Sequence, residues 1–242
     1  MEASEIEKCH VAEVYDFIAQ HFSATRFSAW PRVVQFLQTF EPNSLVCDIG
    51  CGNGKYFSAN NSLTIFGCDQ SIELLKIAHS KGVDCVRCDN LAIPFHSQSM
   101  DGFISIAVIH HFAHEQRRIQ AIKECGRILH PGGRGLIYVW SFESKKKNEE
   151  SSQDAFIPWC FRASKVNNTD NDKKEQNIKP PDHAIQTEKG IQLNRYYHLF
   201  VDGELQRLIN LQNEIGNEND PKLKILNSGF DQENWFCEVQ RL

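Results

Sequence analysis

Short apolar runs alternate with amphipathic segments along most of the chain, and this alternation is its clearest structural signal. The predicted strands are the nearly continuous apolar runs 45–49, 64–68, 84–88, 100–108 and 135–140. The predicted helices, where apolar residues recur at helical spacing, are 6–22, 31–40, 71–79 and 115–129. Strands that alternate with helices in this way predict a mostly parallel sheet covered on both faces.

Two further strand-like runs, 222–226 and 234–239, close the chain after a helical segment that begins near Asp202. They are joined by the short segment 227–233, so they are expected to form a hairpin, whose strands are antiparallel. Counting them, the sequence predicts an α/β fold with a mostly parallel seven-stranded sheet and an antiparallel C-terminal strand.

A single domain is predicted over 1–242, with N-terminal helices in 1–43. The segment 144–190 departs from this pattern, because it is polar and charged and has few large apolar residues. Such segments bury too little apolar surface to offset the entropy of ordering, so a mobile insertion is predicted there. A short apolar stretch within it, 155–161, is expected to dock on the body of the domain.

The most informative motif is LVCDIGCGNGKY at 45–56, followed by Asp69 at the end of the next apolar run. A strand, a glycine-rich turn and an acid about twenty residues further on are typical of a nucleoside-binding βαβ unit. A dinucleotide fingerprint needs a third glycine where Lys55 stands, and the motif is D-x-G-x-G-x-G instead. We therefore predict S-adenosylmethionine as the ligand and a class I (Rossmann-like) methyltransferase fold. The alternative is an ordinary strand-to-helix turn.

In this interpretation Asp48 and the turn amides face the methionine end of the cofactor, and Asp69 accepts hydrogen bonds from the ribose hydroxyls. Asp89 follows the third predicted strand, where it reaches the adenine amine or simply caps a turn. The predicted cofactor-binding residues are Asp48, Gly50, Gly52, Asn53, Gly54, Asp69, Gln70, Asp89, Asn90 and Ala107.

Composition adds limits. The formal net charge is −5, which argues against a strongly basic nucleic-acid binder, although a local basic cluster lies in 117–127. No apolar run approaches a membrane span, and no secretory signal is evident at the N-terminus, MEASEIEKCH. Nine cysteines without framework spacing suggest a reducing compartment, so we expect a protein of the cytoplasm or the nucleus.

The sequence IHHF at 109–112 follows the longest predicted strand, at the end of the sheet where ligands of doubly wound folds bind. His110 or His111 is therefore expected near the transferred methyl group, and we favour His110. Cys85 and Cys88, and His110 and His114, have the spacing of zinc ligands. A structural zinc site needs four ligands, however, so no metal is predicted. Trp30 and Trp140 are the tryptophans best placed to stack a base.

Together these residues resemble the eukaryotic tRNA methyltransferases that esterify 5-carboxymethyluridine at the wobble position, a domain also found fused to an AlkB-type oxygenase. The resemblance covers nearly the whole chain. Its most specific blocks are TRFSAWP at 25–31, VIHHF at 108–112 and RYYHLF at 195–200. A small-molecule methyltransferase of the quinone or sterol type, or a catalytically silent regulator with this fold, remain as alternatives.

The resemblance implies transfer of a methyl group from S-adenosylmethionine to a carboxylate, which is already ionised at neutral pH and needs no general base. The residues then expected to act on the substrate are Arg26, His110, Arg195 and Tyr197. It also implies two partners. One is the tRNA anticodon loop; the other is a small zinc-binding activator protein at the sheet edge formed by 84–88, without which poor solubility is expected.

Overall fold

The structure is a computed structural model and describes residues 1–26, 28–145, 152–161, 179–188 and 190–242. Most of the segment predicted to be a mobile insertion, 144–190, lies outside the described residues, so that prediction is not addressed there. None of the helices in the described ranges is long and apolar enough to cross a membrane.

A seven-stranded sheet forms the centre of the fold, in the order β3-β2-β1-β4-β5-β10-β9. Its strands are β1 (Leu45–Ile49), β2 (Thr64–Asp69), β3 (Cys85–Arg87), β4 (Met100–Ile106), β5 (Leu129–Trp140), β9 (Leu223–Asp231) and β10 (Asn234–Arg241). Strands β1 to β5 are parallel to one another, whereas β10 is antiparallel to both β5 and β9. The predicted fold, including the terminal hairpin, is confirmed.

Helices cover both faces of this sheet. They are α1 (Ala3–Glu7), α2 (Glu13–Thr25), α3 (Pro31–Leu37), α4 (Ile72–Ser80), α5 (Glu115–Ile128), α6 (Phe142–Lys145) and α7 (Glu204–Ile215). A π-helical turn, Lys8–Ala12, joins α1 to α2, and a 3-10 turn, Ile109–His111, follows β4. The apolar faces of α5 and α7 pack in one core cluster, and that of α3 packs in another.

A second, three-stranded sheet was not predicted. It consists of β6 (Asp154–Phe161), β7 (Ile185–Thr187) and β8 (Gly190–His198), in the order β6-β8-β7. The apolar stretch expected to dock on the body therefore does so as a strand, paired antiparallel with β8. Leu193 on β8 packs against α2, so this sheet holds the N-terminal helix beside the central sheet.

A buried histidine ties the second sheet to α7. His198 Nδ1 lies 2.8 Å from Asp154 Oδ1, and its Nε2 lies 2.8 Å from Glu204 Oε1. Burial alone would raise the pKa of Asp154, but hydrogen bonds from Tyr196 and His198 hold it below its usual range. These contacts fix β8, and with it the residues just before His198, relative to the main body of the domain.

Candidate active site

A cavity of about 720 Å³ opens at the carboxyl ends of β1, β2 and β4 and extends past the end of β5 to the start of β10. The N-terminal helix forms its roof. Arg117 makes a forked ion pair with Glu7 (2.5–2.9 Å), and Asp16 accepts hydrogen bonds from Ser71 Oγ and the Glu73 amide. These contacts between residues distant in sequence hold the roof over the cavity. Its volume is large enough for a ligand much bigger than a metal ion.

The glycine-rich turn lies at one end of this cavity. Gly50 has φ +73°, and a Cβ there would overlap the Val108 side chain, so only glycine fits at this position of the turn. Asp69 accepts hydrogen bonds from the Gly52 amide (2.8 Å) and the Ser71 amide (2.9 Å). The carboxylate of Asp69 is thus held at the tip of β2 with lone pairs left for a ligand hydroxyl.

Asp48 is the least satisfied acid of the site. It is buried at the end of β1, and its Oδ2 has no hydrogen-bond partner. Burial raises the pKa of Asp48 to about 7, while nearby Lys55 lowers it. A buried carboxylate with an unpaired oxygen, in a residue that lines a cavity, fits the ammonium group of an amino acid such as the methionine moiety.

Four other predicted cofactor residues line the cavity, namely Gln70, Asp89, Asn90 and Ala107. Asp89 Oδ1 accepts a hydrogen bond from the Leu91 amide (2.9 Å), so the turn-capping role is present, and Oδ2 remains for a ligand. Ala107 has φ +62° at the end of β4, a conformation that costs energy for any residue other than glycine. The chain turns there out of the sheet and into the IHHF segment.

Two predicted cofactor residues make structural contacts. Gly54 is not among the lining residues, and a Cβ on it would lie 2.8 Å from Val83 Cγ2, so the glycine is needed for packing. Asn53 lines the cavity, but its side-chain amide donates to Ser23 Oγ (3.0 Å) and to the Arg26 carbonyl (3.3 Å). Asn53 therefore positions the end of α2 and the segment that carries Arg26.

His110 lines the cavity and is almost fully buried. Its Nδ1 accepts a hydrogen bond from the Trp140 amide (3.1 Å), which places the proton of the neutral ring on Nε2. Burial lowers the pKa of His110 well below its usual range, and His111 and Arg195 lower it further. His110 is therefore a neutral hydrogen-bond donor through Nε2–H.

A directed hydrogen-bond chain surrounds His111. Its Nδ1 donates to the Tyr196 carbonyl (2.9 Å), and burial lowers the pKa of His111 to about 3, so Nε2 is unprotonated. Nε2 must then accept from the Tyr15 hydroxyl (3.1 Å), and the Tyr15 oxygen from the Tyr197 hydroxyl (3.1 Å). The Tyr197 oxygen in turn accepts from Arg195 Nη1 (2.6 Å).

This chain changes the role expected for Tyr197. Its hydroxyl proton is directed to Tyr15 and its oxygen accepts from Arg195, so in this arrangement Tyr197 orients the guanidinium. It also distinguishes the two histidines. Both ring nitrogens of His111 serve the chain, whereas Nε2–H of His110 is available.

Arg195 is a buried cation without an acidic partner among the residues that the structure describes. Only 4 % of the residue is exposed, its Nε has no hydrogen-bond partner, and its guanidinium lies over Trp159 (4.6 Å). Arg26 lies at the cavity wall, exposed to solvent, with its guanidinium 5.9 Å from the same ring. Neither arginine makes an ion pair with any described carboxylate, so both are available to an anionic ligand.

The tryptophans differ from expectation in one respect. Trp140 lines the cavity, but one face of its indole is stacked on Tyr197 at 4.3 Å and 8°. Trp30 also lines it, beside the Lys55 ammonium, which is 5.3 Å from the ring. Trp159, which no sequence pattern singles out, is the ring beside which both arginine guanidinium groups lie.

The Cys85–Cys88 and His110–His114 pairs do not form a zinc site in the part of the chain that the structure describes. Cys85 Sγ contacts the Leu75 carbonyl and Cys88 Sγ contacts Asn90, while His114 Nδ1 caps α5. Within the described ranges no group of three or more His, Cys, Asp or Glu side chains is placed to hold a metal ion.

The basic cluster of 117–127 is not an open cationic patch. Arg117 pairs with Glu7, Lys123 with Asp220 (2.8 Å) and Arg127 with Glu124 (2.7 Å). Arg118 is buried and donates to the Phe112 carbonyl. The cavity-lining cations that make no ion pair with a described carboxylate are instead Lys8, Arg26, Lys55 and Arg195.

Three cavity residues were missed from the sequence: Tyr15, His111 in its supporting role, and Lys55 as a charge facing Asp48. Tyr15 fits the apolar face of an amphipathic helix, and its hydroxyl partners lie 96 and 182 positions away. No local pattern signals such contacts.

Comparison with known proteins agrees with this arrangement. A methyltransferase domain family matches residues 47–137. The Burkholderia thailandensis 1,6-didemethyltoxoflavin-N1-methyltransferase, solved with 1,6-didemethyltoxoflavin and S-adenosylhomocysteine, superposes with a TM-score of 0.62 over 100 % of this chain and 91 % of its own. The two are 14 % identical, so this similarity supports the fold alone.

Two relatives are closer in sequence. The mouse tRNA (carboxymethyluridine(34)-5-O)-methyltransferase ALKBH8 is 33 % identical over 100 % of this chain and 45 % of its own length. The Schizosaccharomyces pombe tRNA (carboxymethyluridine(34)-5-O)-methyltransferase is 39 % identical over 98 % of both chains. The chain thus spans less than half of the mouse protein but nearly all of the yeast one. It belongs to the tRNA (carboxymethyluridine(34)-5-O)-methyltransferase family.

Proposed function

We propose that this chain transfers a methyl group from S-adenosylmethionine to the carboxylate of 5-carboxymethyluridine at the wobble position of tRNA, forming the methyl ester. The observation that carries the proposal is Arg195, a buried guanidinium without an acidic partner in the described chain, next to a neutral histidine donor. A buried cation is costly unless an anion joins it. A substrate carboxylate supplies that anion.

The cofactor end of the cavity supports the same proposal. Asp48 offers a free carboxylate oxygen for the methionine ammonium, and Asp69 offers lone pairs for ribose hydroxyls. Bound there, S-adenosylmethionine supplies an electrophilic methyl group that an ionised carboxylate can accept without any proton being removed.

The remaining work falls to the protein. Arg195 binds the substrate carboxylate, and its Nη1 is held by the Tyr197–Tyr15–His111 chain, so the guanidinium is oriented before substrate arrives. His110 donates Nε2–H without giving up its proton. The roof formed by α1 and α2 limits the water that reaches the carboxylate.

The decisive experiment is methyl transfer to an anticodon stem–loop carrying 5-carboxymethyluridine. The chain, affinity-purified from eukaryotic cells with whatever it binds, is incubated with labelled S-adenosylmethionine, and the nucleosides are identified by mass spectrometry. The methyl ester should appear, and a loop with unmodified uridine should remain unlabelled. A labelled unmodified loop, or no ester at all, contradicts the proposal.

The pH profile tests the role of His110. Because the pKa of His110 is lowered well below its usual range, the ring is neutral throughout pH 6–9. With saturating cofactor, kcat/KM should show no inflection from a histidine in that range. Replacing His110 with alanine should lower kcat/KM by about 10- to 100-fold at every pH, since a donor to a charged group is lost.

The matched control is His96→Ala, an exposed histidine outside the cavity lining, which should leave the rate unchanged. A bell-shaped wild-type profile that His110→Ala flattens would mean that His110 exchanges a proton during the reaction.

We also propose that a small zinc-binding activator protein pairs with β3. This strand ends the seven-stranded sheet, is only three residues long, and exposes Val86 (40 %). Ile72, at the start of α4, is exposed as well. An unpaired strand edge with apolar side chains beside it is a template for strand addition.

Accordingly, the lone chain should be poorly soluble, and Val86→Lys should weaken binding of the activator by at least about tenfold because a charge enters the apolar contact. Leu226→Lys is the matched control, since Leu226 is equally exposed (41 %) but lies on β9 at the opposite sheet edge. Pull-down from cells measures both. Equal loss for the two variants would place the activator elsewhere.

A further inference from the structure

One buried acceptor in the cavity has no role in the proposal so far. Asn234 is the first residue of β10, lines the cavity and is only 4 % exposed. Its Nδ2 donates to the Gln232 carbonyl, which fixes the orientation of the amide. Oδ1 is buried and has no hydrogen-bond partner among the described residues. A buried carbonyl oxygen in a residue that lines a cavity gains free energy when a ligand brings a donor to it.

The turn that presents Asn234 is strained. Gln232 and Glu233, which connect β9 to β10, have φ of +47° and +63°, and both line the cavity. A two-residue hairpin of this kind favours Asn and Gly, so Gln-Glu is an unfavourable sequence for it. Such strain persists only where surrounding contacts impose it, and it concentrates at ligand sites.

The tip is held by contacts on both sides. Asp231 accepts a hydrogen bond from the Tyr138 hydroxyl (2.7 Å), and the Glu233 carbonyl accepts one from the Ser141 amide (3.4 Å). These contacts keep the hairpin tip against the end of β5.

The position of Asn234 on β10, beyond β5, indicates that it lies near the methyl-accepting substrate and away from the cofactor end of the cavity. Asn234 lies opposite Trp140, whose amide donates to His110 Nδ1. In the strand order β1-β4-β5-β10, Asn234 lies three strands away from Asp48 on β1. It lies two strands away from β4, which is roughly 10 Å at the usual strand spacing. A carboxymethyl arm, half a uracil ring and one hydrogen bond span about the same distance.

We propose, building on the function above, that Asn234 Oδ1 accepts a hydrogen bond from N3–H of the wobble uracil and makes the site specific for that base. Uracil presents a donor at N3, whereas cytosine presents an acceptor there. An acceptor facing Oδ1 leaves two buried lone pairs unpaired, and such a mismatch is rejected far more strongly than a poorly filled apolar pocket.

The test compares two anticodon stem–loops, one with 5-carboxymethyluridine and one with its N3-methyl derivative. The wild-type complex should methylate the derivative with kcat/KM at least about tenfold lower. Asn234→Ala should lower kcat/KM for the parent loop about tenfold, mainly through KM, and bring the ratio between the two loops close to one. Cofactor affinity, measured by calorimetry, should not change.

Asn227→Ala is the matched control, because Asn227 lies on the same hairpin but is exposed and outside the cavity lining. It should retain both rate and discrimination. Equal wild-type rates on the two loops would overturn recognition of uracil N3–H by Asn234 and leave the proposed function intact. Absence of the ester on the parent loop would overturn the proposed function itself. The wild-type comparison decides the question even if Asn234→Ala fails to fold.

Discussion

Replacing Arg195 with methionine is expected to lower kcat/KM for the anticodon stem–loop by roughly 10²- to 10⁴-fold, because a buried carboxylate that loses its cation costs about 3–5 kcal/mol. The free protein should not lose stability in proportion. Arg195 is a buried charge without an acidic partner in the described chain, and methionine fills similar space without desolvation cost. Steady-state kinetics and thermal unfolding of the same preparation measure the two effects.

Two variants sharpen this test. Arg195→Lys keeps the charge but loses the fork and the contact with Trp159, so it should recover only part of the activity. Arg207→Met removes an exposed arginine on α7 that pairs with Glu115, and neither residue lines the cavity. This variant should leave methylation unchanged. If Arg195→Met retains activity while its melting temperature falls sharply, the arginine is structural and another group binds the carboxylate.

Replacing Asp48 with asparagine should have opposite effects on binding and on stability. Cofactor affinity should fall by about 30-fold or more, since truncating one partner of a buried charge pair costs about 2–5 kcal/mol. The ligand-free protein should instead melt a few degrees higher at pH 7. Burial raises the pKa of Asp48 to about 7, so ionisation of this group is opposed in the folded protein and not in the unfolded chain, a cost that asparagine avoids.

The pH dependence follows from the sign of this shift. Between the ordinary aspartate pKa of about 4 and the folded value of about 7, the unfolded chain has lost the Asp48 proton while the folded chain keeps it. Asp48 therefore reduces stability progressively as the pH rises through this window. The advantage of Asp48→Asn should be absent below about pH 4 and fully developed above about pH 7.

Binding shows the complementary trend. A cofactor ammonium favours ionised Asp48, so wild-type affinity should increase from pH 6 to pH 7.5 with release of a proton, and Asp48→Asn should show neither effect. Calorimetry in buffers of different ionisation enthalpy detects the proton. Asp202→Asn, at an exposed acid, is the control. Proton release that persists in Asp48→Asn would have to be assigned to another group.

The sequence predicts the central sheet well because its signals are local. β1 and β4 are buried on both faces, so their apolar runs mark them, and the turn after β1 requires glycine at Gly50. The residues that follow these strands are brought to one sheet edge by topology alone. This is why thirteen of the fourteen predicted site residues line the cavity, with Gly54 as the exception.

What could not be predicted depends on distant contacts. β6 and β8 pair across a polar segment whose composition gives no register, so the second sheet was missed. The hydroxyl of Tyr15 joins residues from α2, the 3-10 turn and β8, and only the assembled fold shows that it commits the Tyr197 proton. Orphaned atoms such as Asn234 Oδ1 are likewise visible only when every neighbour is in place.

The lone charge of Arg195 also has a consequence for turnover. In the proposed reaction the acceptor enters the cavity as an anion and leaves it as an uncharged ester. The guanidinium that attracts the acid has much less affinity for the ester, because the charge-assisted part of the contact disappears. Methylation thus weakens the enzyme's hold on its own product at the moment it forms. Discrimination between finished and unfinished tRNA, and escape from product inhibition, would then both arise from one buried arginine that has no acid of its own among the described residues.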